Sequence, residues 1–347
     1  MSTLSLPNLV LPLGIEAAER GLVPDAVLAA AIRGQCETWA RELESLPLDQ
    51  LEERFRAHLR AMAASPIAAD ADRANDQHYE VPAAFFETVL GPRLKYSCGW
   101  FDHEGTTLAE AEDEALARTA RHADLADGQR VLELGCGWGS LSLWMAEAFP
   151  ASRIVAVSNS ASQRAFVEAR AAGRGLRNLR VVTADVNRFE TAEHFDRVVS
   201  VEMFEHVRNW DALLARIRSW LSPDGRLFLH VFAHVREATF YSTDGPGDWM
   251  GRHFFTGGMM PSRDLPHRFP HRFAVESEWW WDGTHYARTA NAWLRNLDHA
   301  REPVEQLVGA RAYRRWRMFF LACRELFGRR GGDTWGVGHY RLRAPEE

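Results

Sequence analysis

Apolar positions along this chain recur with two periods, and the change from one to the other organises it. Over residues 14–66 they fall at helical spacing among Ala, Leu, Glu and Arg, with breaks near Leu46-Pro47 and at Pro66, which predicts short helices. Residues 68–76 are small and polar, the composition of a linker. From Arg130 onward, short apolar runs of strand character alternate with helical stretches. Strands are predicted at 130–134, 153–157, 179–183, 197–201 and 226–232, with helices between them at 140–149, 162–172 and 210–220. Such alternation predicts a parallel sheet with both faces covered. It stops after Phe232: residues 236–272 mix Gly, Pro, Asp, His and aromatics without a period and read as a cap inserted over the sheet. Two late strands, at about 273–281 and 337–342, bracket a helical segment at 290–327.

At 347 residues, 46% apolar and 25% charged, the chain has ordinary globular composition and enough length for a large core. Its formal charge of −6 gives no general attraction to nucleic acid or to anionic lipid. No apolar run reaches the ~18 residues of a membrane span, and the first residues lack a secretory signal pattern. The cysteines, Cys36, Cys98, Cys136 and Cys323, form neither metal pairs nor a disulfide framework. A cytoplasmic location is the expectation. Lys95 is the only lysine.

Candidate chemistry concentrates at the ends of the predicted strands. After 130–134 the chain reads Gly135-Cys136-Gly137-Trp138-Gly139, and a helical pattern follows at once. A strand, a glycine turn and a helix together hold an adenosine-bearing ligand, because the backbone approaches it closely and bare N–H groups face it. Ser140 stands where a dinucleotide fingerprint needs its third glycine, so with Glu133 the turn fits an S-adenosylmethionine (SAM) site better than an NAD site. The second strand ends in Ser158-Asn159-Ser160, with Gln163 a turn further on, groups that hydrogen-bond ribose hydroxyls without charge. Asp185, after the third strand, is placed to accept from an adenine amino group. Turn formation alone also accounts for Asn159 and Asp185. After the fourth strand, Glu202, Glu205 and His206 have the spacing to share one helical face and supply acid–base chemistry; a capping acid and a surface histidine are the plain alternative. The aromatic runs Trp279-Trp280-Trp281 and Phe319-Phe320 after Trp316 read chiefly as core. Arg263, His267, Arg268, His271 and Arg272 form a basic patch in the cap, a solvated face or a seat for phosphate headgroups.

These pieces, in this order, resemble the cyclopropane-fatty-acyl-phospholipid synthase superfamily, and within it the coclaurine N-methyltransferase branch. The motifs that carry the resemblance run from about Gln77 to Leu342. They are His78-Tyr79-Glu80-Val81-Pro82, Leu94-Lys95-Tyr96-Ser97-Cys98, the glycine turn, the 202–206 segment, Asp248-Trp249 and Phe254-Phe255-Thr256-Gly257-Gly258. His285-Tyr286-Ala287-Arg288-Thr289, Phe319-Phe320-Leu321-Ala322 and Glu325-Leu326-Phe327-Gly328 complete them. The resemblance implies an α/β fold, the seven-stranded class I SAM-methyltransferase (Rossmann-like) sheet. A helical N-terminal region (1–74) would precede a methyltransferase domain (75–347) carrying an inserted helical cap. It implies SAM contacts from Ser97, Gly135, Asn159, Gln163, Asp185 and Val186, to which their neighbours Tyr96, Glu133, Gly137 and Val201 are added.

In the N-methylating branch, the residues matching Glu202, Glu205 and His206 line an amine pocket, and Glu205 and His206 act in catalysis. In the lipid branch, positions matching Cys98, Glu205, His230 and Tyr286 hold a bicarbonate ion that serves as base. Cys323 matches a cysteine of the lipid synthases, whereas the Phe-Thr-Gly-Gly element and the short N-terminal region match the amine branch. The expectation is methylation of a small apolar or aromatic amine, Glu205 with His206 removing the ammonium proton and Glu202 attracting the cation. The alternative is methyl or methylene transfer to a double bond of an unsaturated phospholipid, with bicarbonate and peripheral membrane contact. Neither reading involves nucleic acid or a metal.

Overall fold

A computed structural model of the chain describes residues 6–69, 81–245 and 247–345. Most of the expected linker, the 74/75 boundary and His78-Tyr79-Glu80 lie outside the described residues. Three helices come first: α1 (Leu6–Glu19), α2 (Asp25–Glu44) and α3 (Leu48–Ala63). Pro24 and Pro47 stand at the N-caps of α2 and α3, where a missing N–H removes no helical bond. Next come α4 (Ala83–Val89) and α5 (Leu108–His122), the latter opened by a Thr107–Glu110 capping box.

The alternating half follows. It runs β1 (Arg130–Leu134), α6 (Ser140–Ala148), β2 (Arg153–Ser158), α7 (Ala161–Gly173), β3 (Leu179–Thr183), β4 (Phe195–Val201), α8 (Trp210–Trp220) and β5 (Leu221–His234). The cap holds a two-stranded ribbon of β6 (Thr239–Phe240) and β7 (Met259–Met260), with the short α9 (Trp249–His253) between them. Among the described residues of this cap, helix is confined to α9 and one 3-10 turn at Leu265–Arg268, since its Gly, Pro and Asp content leaves no continuous helical period. Then come β8 (Ala274–Asp282), α10 (Gly283–His299), α11 (Arg301–Val308), α12 (Ala310–Phe327) and β9 (Trp335–Arg343). The late helical segment thus begins at Gly283, seven residues before the expected start, because Asp282 caps it by accepting from Thr284 N–H.

The strands lie in the order β3-β2-β1-β4-β5-β9-β8. β1 to β5 run parallel, and β9 is antiparallel to both of its neighbours. This is the class I SAM-methyltransferase sheet. Alternate residues of each strand serve opposite faces. Val131, Ile154, Val199 and Phe228 pack against Leu116, Leu141 and Met145. Leu132, Leu134, Val198 and Leu229 meet Trp210, Leu213 and Ile217 on the other face. The N-terminal helices share these cores: Ala18, Ala29, Cys36 and Ala40 join Trp316, Phe319 and Phe320, and Phe55 and Met62 join Trp210. β1 and β4 connect outward in opposite directions, which opens a crevice at their carboxyl ends, the place where open α/β sheets bind ligands.

Candidate active site

One cavity occupies that crevice, and its first wall is the turn after β1. Gly135, Gly137 and Gly139 have φ of +80, +51 and +81°, the left-handed region that glycine enters without strain. A Cβ on Gly135 would sit 2.6 Å from Met203 Cγ, and one on Gly139 2.7 Å from Val167 Cγ2; beside Gly137 the space is open. The N–H groups of Gly135 and Cys136 return to the Val157 carbonyl at 3.0 Å each. Those of Gly137 and Trp138, both on the cavity wall, have no backbone acceptor among the described residues. On the same wall the Ser140 hydroxyl is buried without a partner among the described residues. Beneath the turn Glu133 accepts from the Ser142 hydroxyl, and burial raises its pKa to about 7.

The strand ends complete this half. Ser160 caps α7 by accepting from Gln163 N–H at 3.2 Å, and Gln163 Oε1 accepts from the Ser158 hydroxyl at 2.7 Å, so the Ser158-Asn159-Ser160 corner is fixed before any ligand enters. Asp185 Oδ1 accepts from the Asn187 backbone at 2.8 Å and its side-chain amide at 3.0 Å. Asn187 also exchanges hydrogen bonds with both backbone groups of Ala68, tying the end of the N-terminal region to the rim. Tyr96, Ser97, Glu133, Gly135, Gly137, Asn159, Gln163, Asp185, Val186 and Val201 all border this one cavity.

The cavity continues past β4 into an aromatic chamber walled by Phe232, Phe255, Trp293 and Phe319, where Glu202, His206 and Tyr286 supply the polar groups. The expected shared helical face does not form. Glu202 takes a left-handed φ of +48°, and only Phe204–His206 follow as a single 3-10 turn. Glu202 therefore points into the chamber with donors converging on it: Oε1 accepts from Cys98 N–H at 3.0 Å and faces His230 Nε2 at 3.1 Å, and Oε2 accepts from Tyr286 OH at 2.6 Å. His206 lies flat against Phe255, ring centroids 5.6 Å apart.

Glu205 stands apart from this group. It does not border the cavity: its carboxyl is fully buried, Oε1 accepts from Phe232 N–H at 2.8 Å, and Oε2 has no partner among the described residues. Burial first, then the charge of Glu202, raises its pKa well above the carboxylate range. Of the four bicarbonate positions, three converge on the Glu202 carboxylate and Glu205 does not. Cys98 through its backbone, His230 and Tyr286 all turn to Glu202, while Glu205 stays behind the wall. The Cys98 thiol itself donates to Gly99 C=O. Cys323 is buried, and burial pushes its thiol up.

The cap's basic patch is already neutralised. Arg263 and His267 engage Glu278, Arg268 engages Asp264, and His271 and Arg272 engage Asp211. Of the aromatic runs, Trp281, Trp316 and Phe320 are core, while Phe319 reaches the chamber. Lys95 escaped sequence reasoning as a functional residue. It is buried at the cavity wall, and Nζ donates to Ser97 Oγ at 2.5 Å and to Cys98 C=O at 2.7 Å. Burial lowers its pKa, against the pull of Glu202. Its signal was there: a lone lysine in a chain otherwise using arginine.

Comparisons with known proteins agree with this architecture. The (S)-coclaurine N-methyltransferase of Thalictrum flavum subsp. glaucum is 33% identical, over 94% of this chain and 93% of that protein. The cyclopropane-fatty-acyl-phospholipid synthase of Escherichia coli K12 is 30% identical over 75% of this chain and 66% of its own length. A crystal structure of coclaurine N-methyltransferase bound to N-methylheliamine and SAH superposes with a TM-score of 0.91 at 32% identity, covering 94% of this chain and 98% of that one. The family model described as mycolic acid cyclopropane synthetase matches residues 68–336, and with it the glycine turn, the Glu202 chamber and the cap, so the chain belongs to that family.

Proposed function

We propose that this protein transfers the methyl group of S-adenosylmethionine to the nitrogen of a small aromatic or apolar amine. The observation that carries this reading is Glu202, a carboxylate fixed by several donors inside an aromatic chamber that opens onto the glycine turn. The turn fits the nucleoside: open space beside Gly137, bare N–H groups, an unpartnered Ser140 hydroxyl and the Asp185 carboxylate line one trough. Bound there, the cofactor supplies an activated methyl carbon with a sulfonium leaving group.

The chain's own residues then do three things. Phe255, Trp293 and Phe319 wall an apolar or aromatic body and favour a cation near their faces. Glu202 attracts the ammonium and accepts its proton, because a protonated nitrogen has no lone pair for in-line attack. Tyr286, donating to Oε2, keeps that carboxylate aimed, and the fixed chamber aligns the freed nitrogen with the methyl group. The relatives named as N-methyltransferases support the amine acceptor, and Arg263, His267, Arg268, His271 and Arg272 are each already engaged by a carboxylate rather than open to phospholipid headgroups.

The test supplies labelled S-adenosylmethionine with two pools, arylalkyl amines and unsaturated phospholipid vesicles. Label is expected in the amine pool, and Glu202→Gln should lower kcat on the best amine by ~10²–10⁴-fold. Label appearing in acyl chains and not in amines overturns the proposal.

A further inference from the structure

Behind Glu202 the hydrogen bonds continue outward. His230 Nε2 faces Glu202 Oε1 at 3.1 Å, His230 Nδ1 is 2.8 Å from His339 Nε2, and His339 Nδ1 is 2.8 Å from His122 Nδ1. Strand register holds the first two rings, since His230 of β5 stands directly opposite His339 of β9. Phe228 and Trp281 pack around His339, with centroids at 5.1 and 4.2 Å. His122, the last residue of α5, lies stacked 3.9 Å from Trp279 and is half-buried at the surface.

We propose that His230, His339 and His122 form a proton path joining Glu202 to bulk water at the end of α5, so that Glu202 exchanges its proton while ligands fill the cavity. The inference rests on the amine reading and deepens it. Both ring nitrogens of His230 and His339 are engaged in the row, so each ring can take a proton on one nitrogen and give one from the other. With Glu202 as the acid, its O–H on Oε1 donates to His230 Nε2, His230 Nδ1–H to His339 Nε2 and His339 Nδ1–H to His122 Nδ1, and the half-buried His122 carries its remaining proton on Nε2. One concerted shift moves each proton across its hydrogen bond, and water or a buffer base takes the last from His122 Nε2. Glu202 is left a carboxylate accepting from His230 Nε2–H, and every imidazole is neutral before and after. A proton taken from a substrate ammonium thus leaves behind the sheet rather than past the substrate. Once product departs, one proton drawn in along the row and lost from Glu202 to water in the open cavity restores the outward orientation.

The surroundings favour neutral rings. Burial holds His230 and His122 at about 4 and puts His339 well below the ordinary imidazole value. Arg118, Arg121 and Arg341 around His122, and Lys95 beside His230, oppose a positive charge on the row.

Two readouts test this. In low buffer, His122→Ala should lower kcat on the amine at least about tenfold with KM little changed, and added imidazole should restore it with saturation, since a mobile base replaces the missing ring. Separately, with histidine-ring 15N labelling, exchange of the His230 ring proton with D2O should slow by about tenfold or more in His122→Phe, with no substrate present. Wild-type kcat in His122→Ala, a loss that imidazole does not restore, or unchanged His230 exchange each overturns the path. Exchange that depends on His122, in an enzyme that turns over no amine, supports the path and instead refutes the proposed acceptor.

Discussion

Gly137 and Gly139 share a left-handed backbone for different reasons, and their alanine variants separate cofactor binding from stability. At Gly139 an added Cβ meets Val167 at 2.7 Å in addition to the backbone strain. Gly139→Ala should therefore cost about 2–4 kcal/mol of stability, the sum of a left-handed residue and an overpacked contact, read by denaturant melts. Gly137 has only the strain and no neighbour within 4 Å. Gly137→Ala should cost about 1–2 kcal/mol yet weaken S-adenosylhomocysteine binding about tenfold or more by calorimetry, because the methyl group fills the ligand's approach. Equal affinity in Gly137→Ala and wild type would show that the ligand lies elsewhere. This turn was legible in the sequence because positive φ is a local demand that glycine announces. Cys98, His230 and Tyr286 came together only through the resemblance, and that they gather on Glu202 was not legible, since they meet there through strand pairing and packing across most of the chain. The burial of Glu205 away from the cavity was hidden for the same reason, since spacing does not say which carboxylate a 3-10 turn buries.

At the level of elements, alternation of apolar runs identified the five parallel strands, and the two late strands were read beyond the point where it stops, all to within a residue or two except at β5. There only Leu221 pairs with Phe195 before a register shift, and the intervening Ser222-Pro223-Asp224-Gly225 has the composition of a turn. The N-terminal helices were visible as helices, but what they cover was not. α2 packs on α12, and Arg329, buried beside it, pairs with Glu37 at 2.9 Å and Glu44 at 3.4 Å. A chain beginning at Pro47 should accordingly melt about 10 °C or more below the full chain and expose dye-binding apolar surface, since it strips cover from α12 and leaves a buried guanidinium unpaired. Coincident melting of the two chains would make the first helices an independent unit.

Across the whole molecule, opposing buried groups set the dependence of stability on pH. Burial holds His58 and His234, like His122 and His230, at about 4, below the ~6.5 of an unfolded chain. Between those values the unfolded state binds more protons, so these residues withdraw stability as pH falls from 6.5 toward 4. Glu112 and Glu133, raised by burial to about 7, act in the reverse sense: the folded state binds more protons between ~4.5 and 7, and their contribution is lost as pH rises. His58, whose Nε2 is buried without a partner among the described residues, lies outside the cavity and isolates one side of this balance. The melting temperature of His58→Leu relative to wild type should rise by about 2–4 °C as pH falls from 6.5 to 5. A difference that stays constant over that range contradicts a neutral buried ring.

The place of β9 has a consequence for synthesis. Because that strand threads between β5 and β8, a nascent chain that has already emitted its parallel half still presents β5 as a raw, apolar margin, and β8 has nothing to join. Until Trp335 to Arg343 emerge, this is the stretch most open to mispairing with other polypeptides, and the one a chaperone would need to shield.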